Sequence, residues 1–251
     1  MRKKTFLLCI VTLMALTFML QNAYGATYMK QKQHTDAVQI MGTMQPAQDL
    51  IIESWITRTK MVIMDEKHKT VIDRDKKMIT TANHAERTIV HMPMDFSSNM
   101  SKAMGDMSPE EKASLEQAMG QMMQVTVTVV DTKERKKIGK WNCRKYLQTT
   151  KMAMGTTNSE IWATEDIKVD MELYAKHSAG MVAQMPGMNQ NTAAITKELK
   201  KIKGVHVYSE RTTMMMGQTM KSSIELIEFK EGKAPDDVFD LPSGYKKVEA
   251  F

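Results

Sequence analysis

Past residue 25 the sequence holds a single cysteine, Cys143. One thiol closes no internal disulfide, so the fold must be held by packing and pairing. Aromatic residues are scarce, with three Trp, six Tyr and six Phe in 251 residues. No apolar run after residue 20 is long enough to cross a bilayer, so no transmembrane segment is expected beyond the leader. The six histidines are dispersed, and none has the His-x-x-x-His spacing of a metal site. There is no Gly-x-Ser-x-Gly and no glycine-rich phosphate loop. Asp65 and Glu66, like Asp73 and Asp75, fall in charged turns, where carboxylates are solvated rather than paired as acid and base. No enzyme is expected, and no cofactor. Charge of one sign is also lacking: 35 Lys and Arg against 29 Asp and Glu leave +6, and three of the basic residues belong to the leader. So mild and scattered an excess argues against nucleic acid as a partner.

What is present begins with that leader. Arg2-Lys3-Lys4 is followed by an apolar run from Phe6 to Leu20 and by small residues at Ala23-Tyr24-Gly25. This is the pattern of a secretory signal, cleaved between Gly25 and Ala26. Cys9 lies inside the apolar run behind Leu7 and Leu8, too early for lipoprotein processing. Residues 1–25 are therefore set apart as a signal peptide. Residues 26–251 are long enough for one sizeable core and are taken as one domain.

Methionine is the compositional outlier. Of 27, three lie in the leader, leaving 24 in the remainder. Flexible, polarisable thioethers in place of rigid rings suggest an adaptable interior. They also suggest a soft metal such as Cu(I), with Met104, Met107, Met181, Met185 and Met188 as the candidate ligands. Against this, 24 methionines produce such spacings by chance.

Strand patterns dominate the rest. Tyr28–Thr35 alternates Tyr28, Lys30 and Lys32 with Met29, Gln31 and Gln33. In Asp49–Thr59, Leu50, Ile52, Ser54 and Ile56 oppose Ile51, Glu53, Trp55 and Thr57. Short strands at Lys60–Met64, Lys69–Asp73 and Lys77–Thr81 are so tightly spaced that they must be antiparallel. Another runs from Glu86 to His91, and Met41–Pro46 reads as a loop. Ser108-Pro109-Glu110-Glu111 is a capping box opening a helix to about Met123, with Leu115, Met119, Met122 and Met123 as its apolar stripe. Phe96–Met107 suggests a shorter helix before it. Val125–Val130 is a β-branched strand, and Lys133–Lys137 reads as a turn. A hairpin follows: Trp141–Lys151 and Glu160–Ala163 around a turn-rich Gly155–Asn158. Trp141, Cys143 and Leu147 share its apolar side, which marks Cys143 as a buried, inert thiol. Helices are predicted over Val169–Gln184 and from Asn191 to Gly204, the second with Ile195, Leu199 and Ile202 on one face. Val205–Met214 and Gln218–Phe229 form a last hairpin, and Asp236–Tyr245 is a turn-rich tail. The sum is an α+β fold, a meandering antiparallel sheet of nine or ten strands that curls, with helical inserts covering its concave face.

Trp141-Asn142-Cys143-Arg144-Lys145-Tyr146 after a basic turn, then Glu160-Ile161-Trp162, resembles a family of exported bacterial proteins, a domain of unknown function. Its fold is similar to the lipoprotein carriers LolA and LolB. Glu53-Ser54-Trp55-Ile56, Val71-Ile72-Asp73 and Phe239–Tyr245 fit the same pattern. The resemblance implies a half-barrel with a helical lid and a periplasmic location, and no reaction. A sheet closed by Met-rich helices offers a cavity for a lipid or a lipoprotein acyl chain, lined by Trp55, Leu115, Met119, Met122, Trp141 and Trp162. Two other readings stand beside it: the soft-metal protein, and an interaction protein of the envelope whose core is filled.

Overall fold

A computed structural model describes residues 25–40, 43–94, 107–108, 110–111, 114, 124–153, 155–168, 192–215 and 217–249. The strands are β1 (Ala26–Thr35), β2 (Val38–Ile40), β3 (Thr43–Gln45), β4 (Gln48–Ile56), β5 (Lys60–Met64), β6 (His68–Asp73), β7 (Met78–Asn83), β8 (Thr88–Pro93), β9 (Thr126–Ile138), β10 (Trp141–Met152), β11 (Gly155–Thr164), β12 (Val205–Met215), β13 (Gln218–Gly232) and β14 (Lys246–Val248). One helix, α1 (Thr192–Leu199), is described between β11 and β12.

Twelve strands form one open sheet in the order β14-β8-β7-β6-β5-β4-β1-β13-β12-β11-β10-β9, and β2 and β3 pair separately. Local chemistry explains the meander from β4 to β8. Asp65 accepts the Lys67 and His68 N–H groups at 2.7 and 2.8 Å. Asp73 accepts that of Lys76, and Asn83 that of Glu86, both at 3.0 Å. These three turns open on an Asx side chain that takes backbone donors the ladder cannot, and the β4–β5 turn opens on Thr57, whose Oγ1 accepts the Lys60 N–H at 2.9 Å. The β9–β10 connection is the two-residue Gly139-Lys140, with Gly139 at φ 55°. Glycine first is what a two-residue hairpin of one favoured type demands.

These findings correct the predicted α+β fold. The structure is one large open sheet, not a sheet with helical inserts over a concave face. Segments taken for turns are strand. Lys133–Lys137 continues β9, because a bulge near Lys133 (φ 67°) lets its charges stay in register with Arg144 and beyond. Gly155–Asn158 pairs on both sides, with β10 and with β12, so its threonines serve as strand residues. Part of the predicted Met41–Pro46 loop is β3. The sheet is not wholly antiparallel either, since β14 lies parallel to β8 with Lys247 opposite Ile89.

Other expectations stand. The capping box is formed: Glu111 accepts the Ser108 N–H at 2.8 Å, and Ser108 Oγ accepts the Glu111 N–H at 3.3 Å. Residues 110, 111 and 114 are helical. The rest of that predicted helix, most of Phe96–Met107 and the Val169–Gln184 helix lie outside the described residues. α1 forms inside the predicted Asn191–Gly204 helix but ends at Leu199; Ile195 on it and Ile202 in the turn beyond are both buried.

α1 fixes one end of the core. Ile202 packs with Val129, Tyr146, Ile161 and Ala163, and Tyr146 is fully buried. The Tyr146 hydroxyl accepts the Lys203 N–H at 3.3 Å. Glu198 accepts the N–H of Val129 at 2.8 Å, occupying a donor on edge strand β9. On β10 burial changes sides: Trp141 and Cys143 are buried on one face, Tyr146 on the other, and Leu147 is 44% exposed. The predicted Trp141/Cys143/Leu147 apolar side therefore holds only for its first half, because α1 covers Tyr146 from the opposite side. A second cluster joins Trp141, Cys143, Trp162, Val205, Val207, Leu226, Met29 and Ile56. Among the described residues Met29 is the one fully buried methionine, so methionine does not fill this core as its abundance suggested.

Gly204 connects α1 to β12 at φ 87°, and a Cβ there would meet the Thr164 carbonyl oxygen far inside contact distance. Gly204→Ala is expected to destabilise the protein by about 2 kcal/mol or more, read as a lower urea midpoint. A midpoint unchanged from the natural chain would contradict the close approach.

Candidate functional site

Register sorts the side chains into two faces, since residues opposite one another in a ladder point the same way. One face carries the charges. Lys30 pairs with Glu53 at 3.0 Å, Lys32 with Asp49 at 3.6 Å, Lys145 with Glu160 at 2.8 Å and Lys230 with Glu228 at 2.6 Å. Tyr208 donates to Glu210 at 2.6 Å on the same side. On this face Tyr28 is pushed up to about 12, by burial first and then by its hydrogen bond to Glu53.

The opposite face is the one α1 packs against. On β1 it holds Thr27, Met29, Gln31, Gln33 and Thr35, and on β4 Leu50, Ile52, Ser54 and Ile56. On β12 it holds Ser209, Arg211 and Thr213, paired with Ile161, Ser159 and Thr157 of β11. None of these four strands puts a carboxylate on it, and β13 adds only Glu231, at its far end opposite Thr27. From β4 to β8 it is mainly apolar and half-buried, with Ile52, Met61, Ile63, Ile79, Val90 and Met92, and with the Thr70–Thr81 hydroxyl pair between Ile63 and Val90.

The three tryptophans of the predicted cavity stand on the charged face. Trp55 is half-buried against Tyr28, ring centroids 5.0 Å apart. Trp162 is 5% exposed beneath the Lys136 ammonium, which sits 4.0 Å from its ring, and its Nε1 donates to Glu160 at 2.9 Å. Trp141 joins Trp162 in the buried cluster, and Trp55 does not. Leu115, Met119 and Met122 lie outside the described residues, as do Met104, Met181, Met185 and Met188; Met107 is half-buried. An open depression on α1, lined by Ala193, Thr196, Lys197 and Lys200, touches none of the predicted residues. Cys143 is buried, and burial first, then the Asp166 charge, raises its thiol pKa.

Sequence reasoning passed over two residues on β12. Arg211 falls in period-two register with Val207 and Ser209, a lone cation on an apolar and hydroxyl face, and that was the available signal. His206 precedes it, opposite Ala163, beside a bulge that leaves Val207 unpaired. His206 keeps some solvent contact but is packed round by protein. That loss of water, with the Arg211 charge adding to it, pushes its pKa down to about 4. At the β9 edge, burial would raise Asp131, but hydrogen bonds from Lys133 and Arg144 outweigh it and hold it at about 2.

Neither a protein-family model nor a curated protein matches this sequence. Among solved structures it is similar to a DUF1329 family protein from Desulfovibrio piger, with 8% identity, a TM-score of 0.34, and 92% of this chain and 96% of that one covered. It is also similar to an outer membrane lipoprotein-sorting protein domain from Vibrio parahaemolyticus, with 5% identity, a TM-score of 0.31 and coverage of 86% and 90%. A domain of unknown function and a lipoprotein-sorting domain are the two kinds of protein that the Trp141–Tyr146 resemblance named. At these scores no residue carries over from either, and what this chain holds must follow from its own geometry.

The His206 shift has a consequence for stability. The fold favours neutral imidazole, so on acidification the unfolded chain takes a proton before the folded one does. That contribution is intact above pH 6.5 and is lost as pH falls from there to about 4. Histidine NMR should show His206 neutral at pH 7 with a midpoint near 4, and His206→Gln should flatten the stability profile across that window. A midpoint at the ordinary value would refute the crowded setting.

Proposed function

We propose that the chain is an exported, periplasmic binding protein that holds an acyl chain of a lipid or lipoprotein against the α1 face of its sheet. The observation that supports this most is the half-buried apolar strip from Ile52 through Met61, Ile63 and Ile79 to Val90 and Met92. Burying half the methylenes of a ten-carbon chain is worth about 4 kcal/mol before ordering costs, and burying all of them about 8. That is the range from millimolar to micromolar contact. The leader directs the chain out of the cytoplasm, where such a ligand is at hand.

Lipid extraction of protein purified from the periplasm, followed by mass spectrometry, should recover a bound amphiphile. Repeated recovery of none, together with no binding of an apolar dye, would overturn the reading. Two adjacent residues test the face. Ile51 is 42% exposed on the ion-paired side and Ile52 is half-buried on the α1 side. Ile52→Glu should weaken dye binding about tenfold or more, and Ile51→Glu should leave it near the natural value. Equal effects would remove the assignment to this face.

A further inference from the structure

Arg211 differs from five other cations of the sheet. Lys30, Lys32, Arg144, Lys145 and Lys230 each rest on a carboxylate. Arg211 has no ion-pair or hydrogen-bond partner among the described residues. Its cross-strand partners are Ser159 on β11 and Ser222 on β13, and its neighbours on its own strand face are Ser209 and Thr213. Arg211 is therefore flanked in the ladder by four hydroxyl residues, and none of β1, β4, β11 and β12 puts a carboxylate on this face. Arg211 is exposed, and the protein around it lowers its pKa through desolvation. It also acts on His206 as a charge.

An unpaired charge drawn partly out of water is unfavourable, and an arriving counter-ion relieves that cost. Guanidinium offers planar forked donors that match an oxyanion, and hydroxyls supply further donors around it. One rung along the strands, Ser209 lies between Ile161 and Ile224, and Leu226 follows on β13. This polar group thus borders apolar side chains on the same face.

We propose that Arg211, with Ser159, Ser209, Thr213 and Ser222, seats the oxyanion head of an amphiphile whose chain lies on the apolar part of the α1 face. This rests on the reading that the face holds an acyl chain, and it narrows the ligand to an anionic one, a phosphate or carboxylate head.

Three probes separate the possibilities: decyl phosphate, decanol and inorganic phosphate, each titrated into the full mature protein by calorimetry. The natural protein should bind decyl phosphate about tenfold or more tighter than decanol, and inorganic phosphate more weakly than decyl phosphate. In Arg211→Gln the two decyl ligands should bind alike, with decanol affinity unchanged, and Arg211→Lys should recover part of the difference. Equal binding of decyl phosphate and decanol by the natural protein overturns this proposal and leaves the acyl-chain reading intact. Inorganic phosphate binding as tightly as decyl phosphate would instead make this a site for a free anion, and overturns the headgroup assignment. Failure of both decyl ligands overturns the acyl-chain reading, and this proposal with it. Should Arg211→Gln not fold, the comparison of the probes on the natural protein still decides.

Discussion

Strand alternation locked by register is the constraint on which the rest depends. Along Tyr28–Thr35 and Gln48–Ile56 one alternate set is charged or aromatic apart from Ile51, and the other is apolar, hydroxyl or amide. The pairing of Tyr28 with Trp55 and of Met29 with Ser54 keeps the two sets apart. A slip of one residue would carry a strand's lysines onto the α1 face and its methionine onto the charged one. The Lys30–Glu53, Lys32–Asp49 and Lys145–Glu160 pairs are weak singly, being open to water. Their joint role is to make the slipped register costly, because only one register satisfies them together.

Bulges keep that sorting intact over long strands. The β1–β13 ladder shifts between Lys30 and Gln31, the β9–β10 ladder between Arg144 and Tyr146, and the β11–β12 ladder at Trp162/Ala163. Each adds residues to one strand and increases local twist. The third brings Val207 into the core between Val205 and Leu226, so the cluster around it draws from both faces: Met29, Ile56 and Leu226 from one, Trp162 and Cys143 from the other. The same irregularity places His206 beside Ala163 in crowded surroundings, so a packing device and a perturbed imidazole share one cause.

Period-two reading recovered the face assignments of β1 and β4, and short-range chemistry recovered the charged turns, the capping box and the presence of α1. These are local signals, read within a few residues. What failed was long-range. Gly155–Asn158 is strand because β12 lies beside it, and Lys133–Lys137 is strand because Arg144 and Lys145 face it. Nothing within either segment announces those neighbours. β14 depends on β8, more than 150 residues earlier in the chain. The tryptophans of the candidate site can be placed by the same alternation. Tryptophan is read as a lining residue by habit of composition, yet Trp55 and Trp162 alternate in step with Glu53 and Glu160, two residues before each. Applied to its end, the same periodicity puts them on the charged face, and puts Arg211 with Val207 and Ser209 on the other. Methionine misled similarly. Met44, Met152, Met214, Met215 and Met220 are exposed near hairpin ends, so abundance said little about the interior.

An open sheet also has to manage two edges, and here the two are guarded by unlike means. β14 is three residues long and runs parallel to β8, and so short a strand offers little template for pairing. β9 is thirteen residues long. Its second half carries the lysines and arginine that sequence alone assigned to a turn, and in its first half Glu198 from α1 occupies the Val129 donor. Charge and a helix thus blunt the one long edge. With the long edge guarded and the ion pairs of β1, β4, β10 and β11 on the other face, the α1 face offers a half-buried apolar strip. The chemistry of that face is divided, with an apolar strip on β4 to β8 and a hydroxyl-flanked cation on β12, and so favours a ligand with two unlike ends over one that is uniformly greasy or uniformly polar.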